Sequence, residues 1–311
     1  MRAVRVHKFG GLDALKIEEV PVPEPRPTEV LVRVQAAGVN PADWKQRAGM
    51  GFLTPPFTLG WDVAGVVERT GFGVTTLQPG DRVYGMLWFP REGAAYAEYV
   101  TAPSRQFAKA PGNLDAVPAA AAPLAALTAW QTLVDTAHIG SGQRVLIHAG
   151  AGGVGHLAVQ FAVAKGATVI TTVNAAQEQF ARQLGAAQVI DYRRTRFEDE
   201  VSDVDAVLDL VGSEDYGLRS VSVLRPDGIY IGVPGGVKPK VAAAARDRGV
   251  RASEFLVEPD GASLRQIAGL FDEKAVQVQV AQVYPLAQVA EAHRQGEAGH
   301  AQGKLVLSVN P

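Results

Sequence analysis

Apolar residues are spaced differently in the two parts of the chain. Up to about residue 117 they fall in short runs at 2–6, 31–35, 63–68 and 95–101, punctuated by glycine and proline. PVPEPRPTEV, residues 21–30, reads as an extended connector. Gly80-Asp81-Arg82-Val83-Tyr84-Gly85 reads as a turn feeding a strand. Short strands broken in this way predict an antiparallel barrel. Near Pro118 alanine becomes dense, and residues 123–135 predict a helix. Strands are then expected at 145–149, 168–173, 189–190, 206–211, 228–233 and 251–257. Helices are expected at 154–165, 176–184 and 216–224. Strands alternating with helices predict a parallel, doubly wound sheet. A helix at 262–274, a strand at 276–280 and a helix at 286–295 follow. The last strand, 304–309, is expected to return to the first domain. The prediction is an α/β protein: domain 1–117, completed by 260–311, around a domain at 118–259.

The centre of the second domain is VLIHAGAGGVGHLAVQFAVAKG, residues 145–166. Residues 145–149, four of the five apolar, make a buried strand. Gly150, Gly152 and Gly155 fit G-x-G-x-x-G, with Gly153 between them. Leu157, Phe161 and Ala164 recur at helical spacing, and Gly166 closes the helix. Strand, glycine turn and helix are the parts of a dinucleotide-binding βαβ unit. One glycine permits the tight turn, one lets the backbone approach a pyrophosphate, and one lets helix pack on strand. The amides of Gly150, Ala151, Gly152, Gly153, Val154 and Gly155 would then face phosphates at a helix N-terminus.

Composition narrows the function. The chain has 311 residues, 47% hydrophobic and 20% charged, with a net charge of −2. That is a globular composition of about two domains. No basic block suggests nucleic acid or an acidic membrane surface. No apolar stretch reaches the roughly 18 residues of a membrane span, and the N-terminus lacks an apolar signal core. A cytoplasmic protein is expected. There are no cysteines, which removes disulfides, thiolate catalysis and cysteine-ligated zinc.

Seven segments together resemble the medium-chain dehydrogenase/reductase superfamily, specifically its zinc-independent quinone oxidoreductase branch. They are AAGVNPADWKQRAG (36–49), PFTLGWDVAGVV (56–67), GDRVYG (80–85), LTAWQTL (127–133), HAGAGGVG (148–155), LGAAQVIDY (184–192) and GKLVL (303–307). They span nearly the whole chain in the family's order. The resemblance implies a GroES-like β-barrel catalytic domain from both ends of the chain, and a Rossmann domain inserted between. It also implies an active site in the cleft between domains, and a homodimer.

Zinc-dependent relatives bind a catalytic zinc through cysteine and histidine. The resemblance matches the first ligand position to Asn40 and the histidine position to Trp61. The four-cysteine lobe of those relatives has no counterpart between Gly93 and Val117. The six histidines, His7, His138, His148, His156, His293 and His300, show no ligand spacing, so no metal is expected. Alcohol oxidation without a Lewis acid is hard, because the alcohol must shed a proton as hydride leaves. Reducing an electron-poor double bond needs no metal. Hydrogen-bond donors can hold the charge that develops on oxygen. The expected substrates are therefore quinones or α,β-unsaturated carbonyls.

Asn40 leads the candidate catalytic residues. The resemblance sets it near the nicotinamide and the reacting carbonyl, where its amide could donate to an oxyanion; an Asn-Pro turn would look the same. Asp43 and Lys45 follow on the same segment. Some family members carry a tyrosine at the Lys45 position; the resemblance would let a lysine there orient ribose or stabilise charge, as in related alkenal reductases, but a solvated surface lysine fits better. Trp61 and Asp62 are expected to line the cleft, although Trp61 could be core. Trp88 and Phe89 are candidates for a substrate wall.

Cofactor choice turns on the end of the second strand, Thr172-Val173-Asn174. An acid there would bind the ribose hydroxyls of NAD. None is present, so a 2′-phosphate is not repelled. Thr172, Asn174 and Gln177 could hydrogen-bond it, with Arg182 and Lys165 as further candidates. NADPH is expected over NADH. Thr128, Val211, Gly212, Gly232 and Val233 are expected around the nicotinamide. Two alternatives stay open: an enoyl-thioester reductase, and a non-catalytic NADPH-binding sensor or structural protein.

Overall fold

The computed structural model describes residues 1–299 and 301–309. The chain divides into two units. One comprises Met1–Leu127, Glu258–Lys274 and the stretch from Val278; the other comprises Thr128–Val257 and Ala275–Gln277.

The first unit is built mainly from antiparallel strands, with one parallel pair, Val280–Pro285 beside Lys304–Ser308. Its larger sheet runs in the order Val280–Pro285, Lys304–Ser308, Glu29–Val39, Asp62–Thr70, Arg82–Met86, Phe107–Lys109, and Tyr99–Pro103 also pairs with Glu29–Val39. A smaller sheet joins Lys16–Glu19, Arg2–Val6 and Phe57–Thr58. Glu29–Val39 is the organising strand. Its valines alternate into a core shared with Val63, Val67, Val83, Phe107 and Leu305. The last strand does return to this unit, with Leu305 opposite Val39 and Leu307 opposite Ala37.

The second unit holds six parallel strands in the order Gln188–Asp191, Thr168–Val173, Arg144–His148, Val204–Asp209, Leu224–Gly232, Arg251–Glu254. Numbered along this unit, that is 3-2-1-4-5-6, the dinucleotide-binding order. The chain reverses direction across the sheet beside Arg144–His148, so ligands are expected at the carboxyl ends of this strand and its neighbours.

The structure moves several sequence-based boundaries. Residues 118–127 belong with the barrel unit rather than the sheet unit, because the alanine-rich helix Ala116–Ala121 packs on Glu29–Val39 and Asp62–Thr70. The helix expected over 123–135 runs from Pro123 to Trp130 and continues as a π-helical turn, Gln131–Thr136. There the Thr132 hydroxyl donates back to the carbonyls of Thr128 and Ala129. The strand expected at 276–280 forms instead at Val280–Pro285. Gln160 binds the backbone of Gln277 through both ends of its amide, at 2.9 and 2.8 Å, which holds this segment on the second unit. Pro41–Arg47 is a helix where the sequence suggested only a turn. Among the described residues no helix is long and apolar enough to cross a membrane.

Candidate functional site

In the second unit the strand Arg144–His148 ends in a turn that starts at Ala149, whose φ is +54°. The three fingerprint glycines answer to different neighbours. A Cβ on Gly150 would lie 2.0 Å from Thr171 Oγ1, and one on Gly155 would lie 2.2 Å from the Ala149 carbonyl. Both are glycine because the protein's own packing demands it. A Cβ on Gly152 would meet only the Ala149 carbonyl, at 3.2 Å. No other atom lies within 4 Å of that position, and the helix Gly155–Ala164 begins three residues on, the place where a phosphate meets helix N-terminal amides. Gly166, at φ +81°, closes that helix.

The second strand ends at Val173. Asn174 Nδ2 donates to Gln177 Oε1 at 2.9 Å, and Asn174 Oδ1 is buried without a partner. An orphaned buried acceptor carries a desolvation penalty unless a ligand hydroxyl supplies a hydrogen. Thr172 departs from its expected role. It is buried, and its hydroxyl meets the Ala149 N–H and His148 Nδ1 between the strands. It braces the turn rather than facing a phosphate, because its side chain points to the sheet interior. Arg182 pairs with Glu178 on its own helix, and Lys165 lies over the Trp130 ring, so neither reaches this corner.

The neighbouring strand supplies what sequence reasoning missed. Tyr192 donates its backbone N–H to the Val173 carbonyl, which sets it beside Asn174, and the Arg193 guanidinium lies 5.8 Å from the Tyr192 ring centroid. Arg194 follows, and all three are exposed. The signal was present as Asp191-Tyr192-Arg193-Arg194 closing a strand, but only parallel pairing with Thr168–Val173 brings that end to Asn174.

Val211, Gly212, Gly232 and Val233 do come together. Asp209 and Gly232 are register partners, and Val233 N–H donates to the Asp209 carbonyl. The Asp209 carboxylate accepts from the Val211 and Gly212 amides at 2.7 and 3.0 Å. Thr128 is buried in its helix.

The two histidines that flank the glycine turn are structural. His148 joins Thr172 and Ser220 through its two ring nitrogens, and burial pushes its pKa down to about 4. His156 is also buried. His300 lies outside the described residues.

In the first unit Asn40 is the N-cap of Pro41–Arg47, with proline at the first helical position. Asp43, expected to be catalytic, is the third residue of that helix, and its Oδ2 accepts the Asn40 backbone N–H at 2.6 Å. That is a capping contact. Asp43 is fully buried, and burial pushes its pKa up to about 7. The side chain of Asn40, 1% exposed, donates from Nδ2 to Asp62 Oδ2 at 2.9 Å, and its Oδ1 accepts from the Lys304 ammonium. Asp62 is likewise raised by burial, to about 6, with Lys304 opposing. Lys45 stands on the exposed side of the helix, away from this cluster. Trp61, expected to line a cleft, is core: its Nε1 donates to the Arg91 carbonyl at 2.7 Å, and its ring packs edge-on against Phe89. Trp88 is half-buried, its Nε1 donating to the Thr101 carbonyl.

Two family models match the chain: the alcohol dehydrogenase GroES-like domain over residues 26–112 and the zinc-binding dehydrogenase over residues 184–307. The chain is 34% identical to the chloroplastic NADPH-dependent alkenal/one oxidoreductase of Arabidopsis thaliana, covering 99% of this chain and 79% of that protein. It is 31% identical to the quinone oxidoreductase of Homo sapiens, covering 99% and 97%. Among solved structures, the quinone oxidoreductase from Coxiella burnetii aligns with a TM-score of 0.94 at 37% identity, covering 100% of this chain and 99% of that one. Escherichia coli quinone oxidoreductase complexed with NADPH aligns at 0.90 and 29% identity, covering 99% and 100%.

The donor set does not fit the zinc in one of those family descriptions. The chain has no cysteine. Among the described residues no three or more histidine, aspartate or glutamate side chains gather as metal ligands. Asn40 is bonded instead to a lysine ammonium.

Proposed function

The chain belongs to the zinc-independent quinone oxidoreductase branch of the medium-chain dehydrogenase/reductase superfamily, and from this premise we propose that it reduces quinones or α,β-unsaturated carbonyls with NADPH. The glycine turn Gly150–Gly155, which joins the first strand of a 3-2-1-4-5-6 sheet to a helix N-terminus, is the observation that carries this reading. The residues present fit the cofactor. The amides from Gly150 to Gly155 hold the pyrophosphate. Asn174 Oδ1, which lacks a donor, takes a hydroxyl of the adenosine ribose. With no acid at the end of Asn174's own strand, Tyr192, Arg193 and Arg194 receive the 2′-phosphate, arginine matching a phosphate with paired donors. The turn at Val211–Gly212 and the strand end at Gly232–Val233 seat the nicotinamide.

Bound NADPH supplies a hydride to an electron-poor carbon, which leaves negative charge on the substrate's oxygen. One hydrogen of the Asn40 carboxamide is committed to Asp62; the second is the donor for that oxygen. Water delivers the proton that completes reduction. No metal takes part in this scheme. We also read the protein as a cytoplasmic homodimer; family membership supports the dimer, and sedimentation equilibrium tests it.

The experiment is a substrate panel of quinones and alkenals, following NADPH absorbance with and without a chelator. Turnover that the chelator leaves unchanged is expected. Tight NADPH binding without turnover on any member would select a non-catalytic role.

A further inference from the structure

Lys304 is 4% exposed, and burial pushes the pKa of its ammonium down while the carboxylates of Asp62 and Asp43 hold it up. It belongs to the last strand, 264 positions along the chain from Asn40. Its ammonium donates to the Val39 carbonyl at 3.0 Å and to Asn40 Oδ1, and it lies 4.0 Å from Asp62 Oδ2. Asp62 is itself anchored, its Oδ1 accepting the Leu124 N–H at 2.8 Å. A tie between strands does not need this lysine. The backbone pairing of Leu305 with Val39 already joins them, and an apolar side chain would fill the space without desolvating a charge.

The chemistry of the two neighbours explains the lysine better. An ammonium can only donate, and a carboxylate can only accept. A carboxamide between them has one allowed orientation, its oxygen toward Lys304 and its nitrogen toward Asp62. An asparagine between neutral groups could flip and present its oxygen where its nitrogen had been. We propose that Lys304 is a positioning residue for Asn40: its ammonium and the Asp62 carboxylate clamp the two ends of the carboxamide, so that the second N–H of Asn40 keeps one fixed direction for the substrate oxygen. This rests on the role given to Asn40 above.

The test uses the whole protein and four variants: Asn40→Ala, Lys304→Met, Asp62→Asn and the double variant Asn40→Ala/Lys304→Met. Naphthoquinone is the substrate. Asn40→Ala is expected to lower kcat by about 100-fold, the loss typical of one oxyanion donor. Lys304→Met should lower kcat at least about tenfold, with the KM for NADPH unchanged. The double variant should be no slower than Asn40→Ala alone, because Lys304 acts through Asn40. Wild-type kcat in folded Lys304→Met, or losses that multiply in the double variant, would overturn the proposal.

Asp62→Asn keeps the volume and attacks the clamp from its other end. It should reproduce the kcat loss, and it carries the test if Lys304→Met fails to fold. A second readout does not depend on turnover. Solvent exchange of the Asn40 carboxamide hydrogens, followed by NMR, should be slow in the wild type and faster in Lys304→Met and Asp62→Asn. Equal exchange rates would also overturn the clamp. If wild-type protein turned over no quinone or enone, the functional reading would fail, and the exchange rates alone would decide the clamp.

Discussion

Tyr230 donates its hydroxyl to Asp209 Oδ2 across 2.6 Å, deep in the parallel sheet. The other oxygen of the same carboxylate receives two backbone amides of the Val211–Gly212 turn. One buried acid therefore ties a core tyrosine to a loop at the ligand end of the sheet. The loop has little freedom of its own: a Cβ on Gly212 would lie 2.3 Å from the Pro234 carbonyl. Asp209→Ala would leave a buried hydroxyl and two amides unpaired, at about 1–3 kcal/mol for each buried group left unsatisfied. NADPH affinity should fall at least about tenfold, equivalent to roughly 1.4 kcal/mol. Tyr230→Phe removes one partner and leaves the turn's amides bound, so its affinity should stay within about threefold of wild type. Fluorescence titration of NADPH on both variants checks the ordering.

The glycines of the turn separate packing from binding. Gly152→Ala puts a methyl group 3.2 Å from the Ala149 carbonyl and near no other atom, so the melting temperature should fall less than in the other two variants while NADPH affinity collapses. Gly150→Ala and Gly155→Ala place a Cβ within 2.0 and 2.2 Å of protein atoms, and each should cost about 1–3 kcal/mol of stability through overpacking. Thermal melts paired with NADPH titrations test this. Equal destabilisation by all three would remove the case for a cradle at Gly152.

Local signals were legible and distant pairings were not. Strand, glycine turn and helix around Gly150 to Gly155 could be read because each feature lies within one turn of its neighbour. The helix start at Asn40-Pro41-Ala42-Asp43 carries local marks too, an N-cap with proline first and an acid third, but Asn-Pro reads equally as a turn. The direction of the Thr172 hydroxyl was hidden, because it depends on which strand lies alongside: His148, 24 positions away, is what it meets. The joining of Lys304 to Asn40 depends on the last strand's register against Glu29–Val39. No spacing rule reaches that far. The unit boundary was misplaced because an alanine-rich helix carries no mark of the surface it will cover.

Cofactor preference can be inverted at one atom pair. Asn174 stands where an acid would favour the free ribose hydroxyls of NADH. Asn174→Asp puts a carboxylate there without changing shape, and it repels a 2′-phosphate. The ratio of kcat/KM for NADPH to that for NADH should drop at least about tenfold, roughly the 1.4 kcal/mol of one lost charge-assisted contact. Arg193→Ala should move the ratio the same way and less far, since Arg194 remains. Steady-state kinetics with both cofactors measures it. An unchanged ratio in Asn174→Asp would place 2′-phosphate recognition elsewhere.

Asp43 predicts an unusual pH dependence of stability. Burial raises its pKa from 3.8 to about 7 in the folded chain. Between those values the unfolded chain has released the proton and the folded chain keeps it, so stability falls as pH rises, by up to about 1.4 kcal/mol per pH unit. Asp62 acts in the same sense from 3.8 to about 6. Two histidines oppose them. Burial lowers His148 from 6.5 to about 4 and His293 to about 3, so the unfolded chain takes up their protons first and stability falls as pH drops below 6.5. In the wild type these slopes largely cancel between about pH 4 and pH 6. Asp43→Asn still accepts the Asn40 N–H but cannot ionise. Its stability relative to wild type should rise steadily from pH 4 to pH 7 and level off above, as urea denaturation across that range would show. A constant difference would mean that the folded protein holds Asp43 ionised throughout, and that Lys304 neutralises both neighbouring carboxylates rather than one.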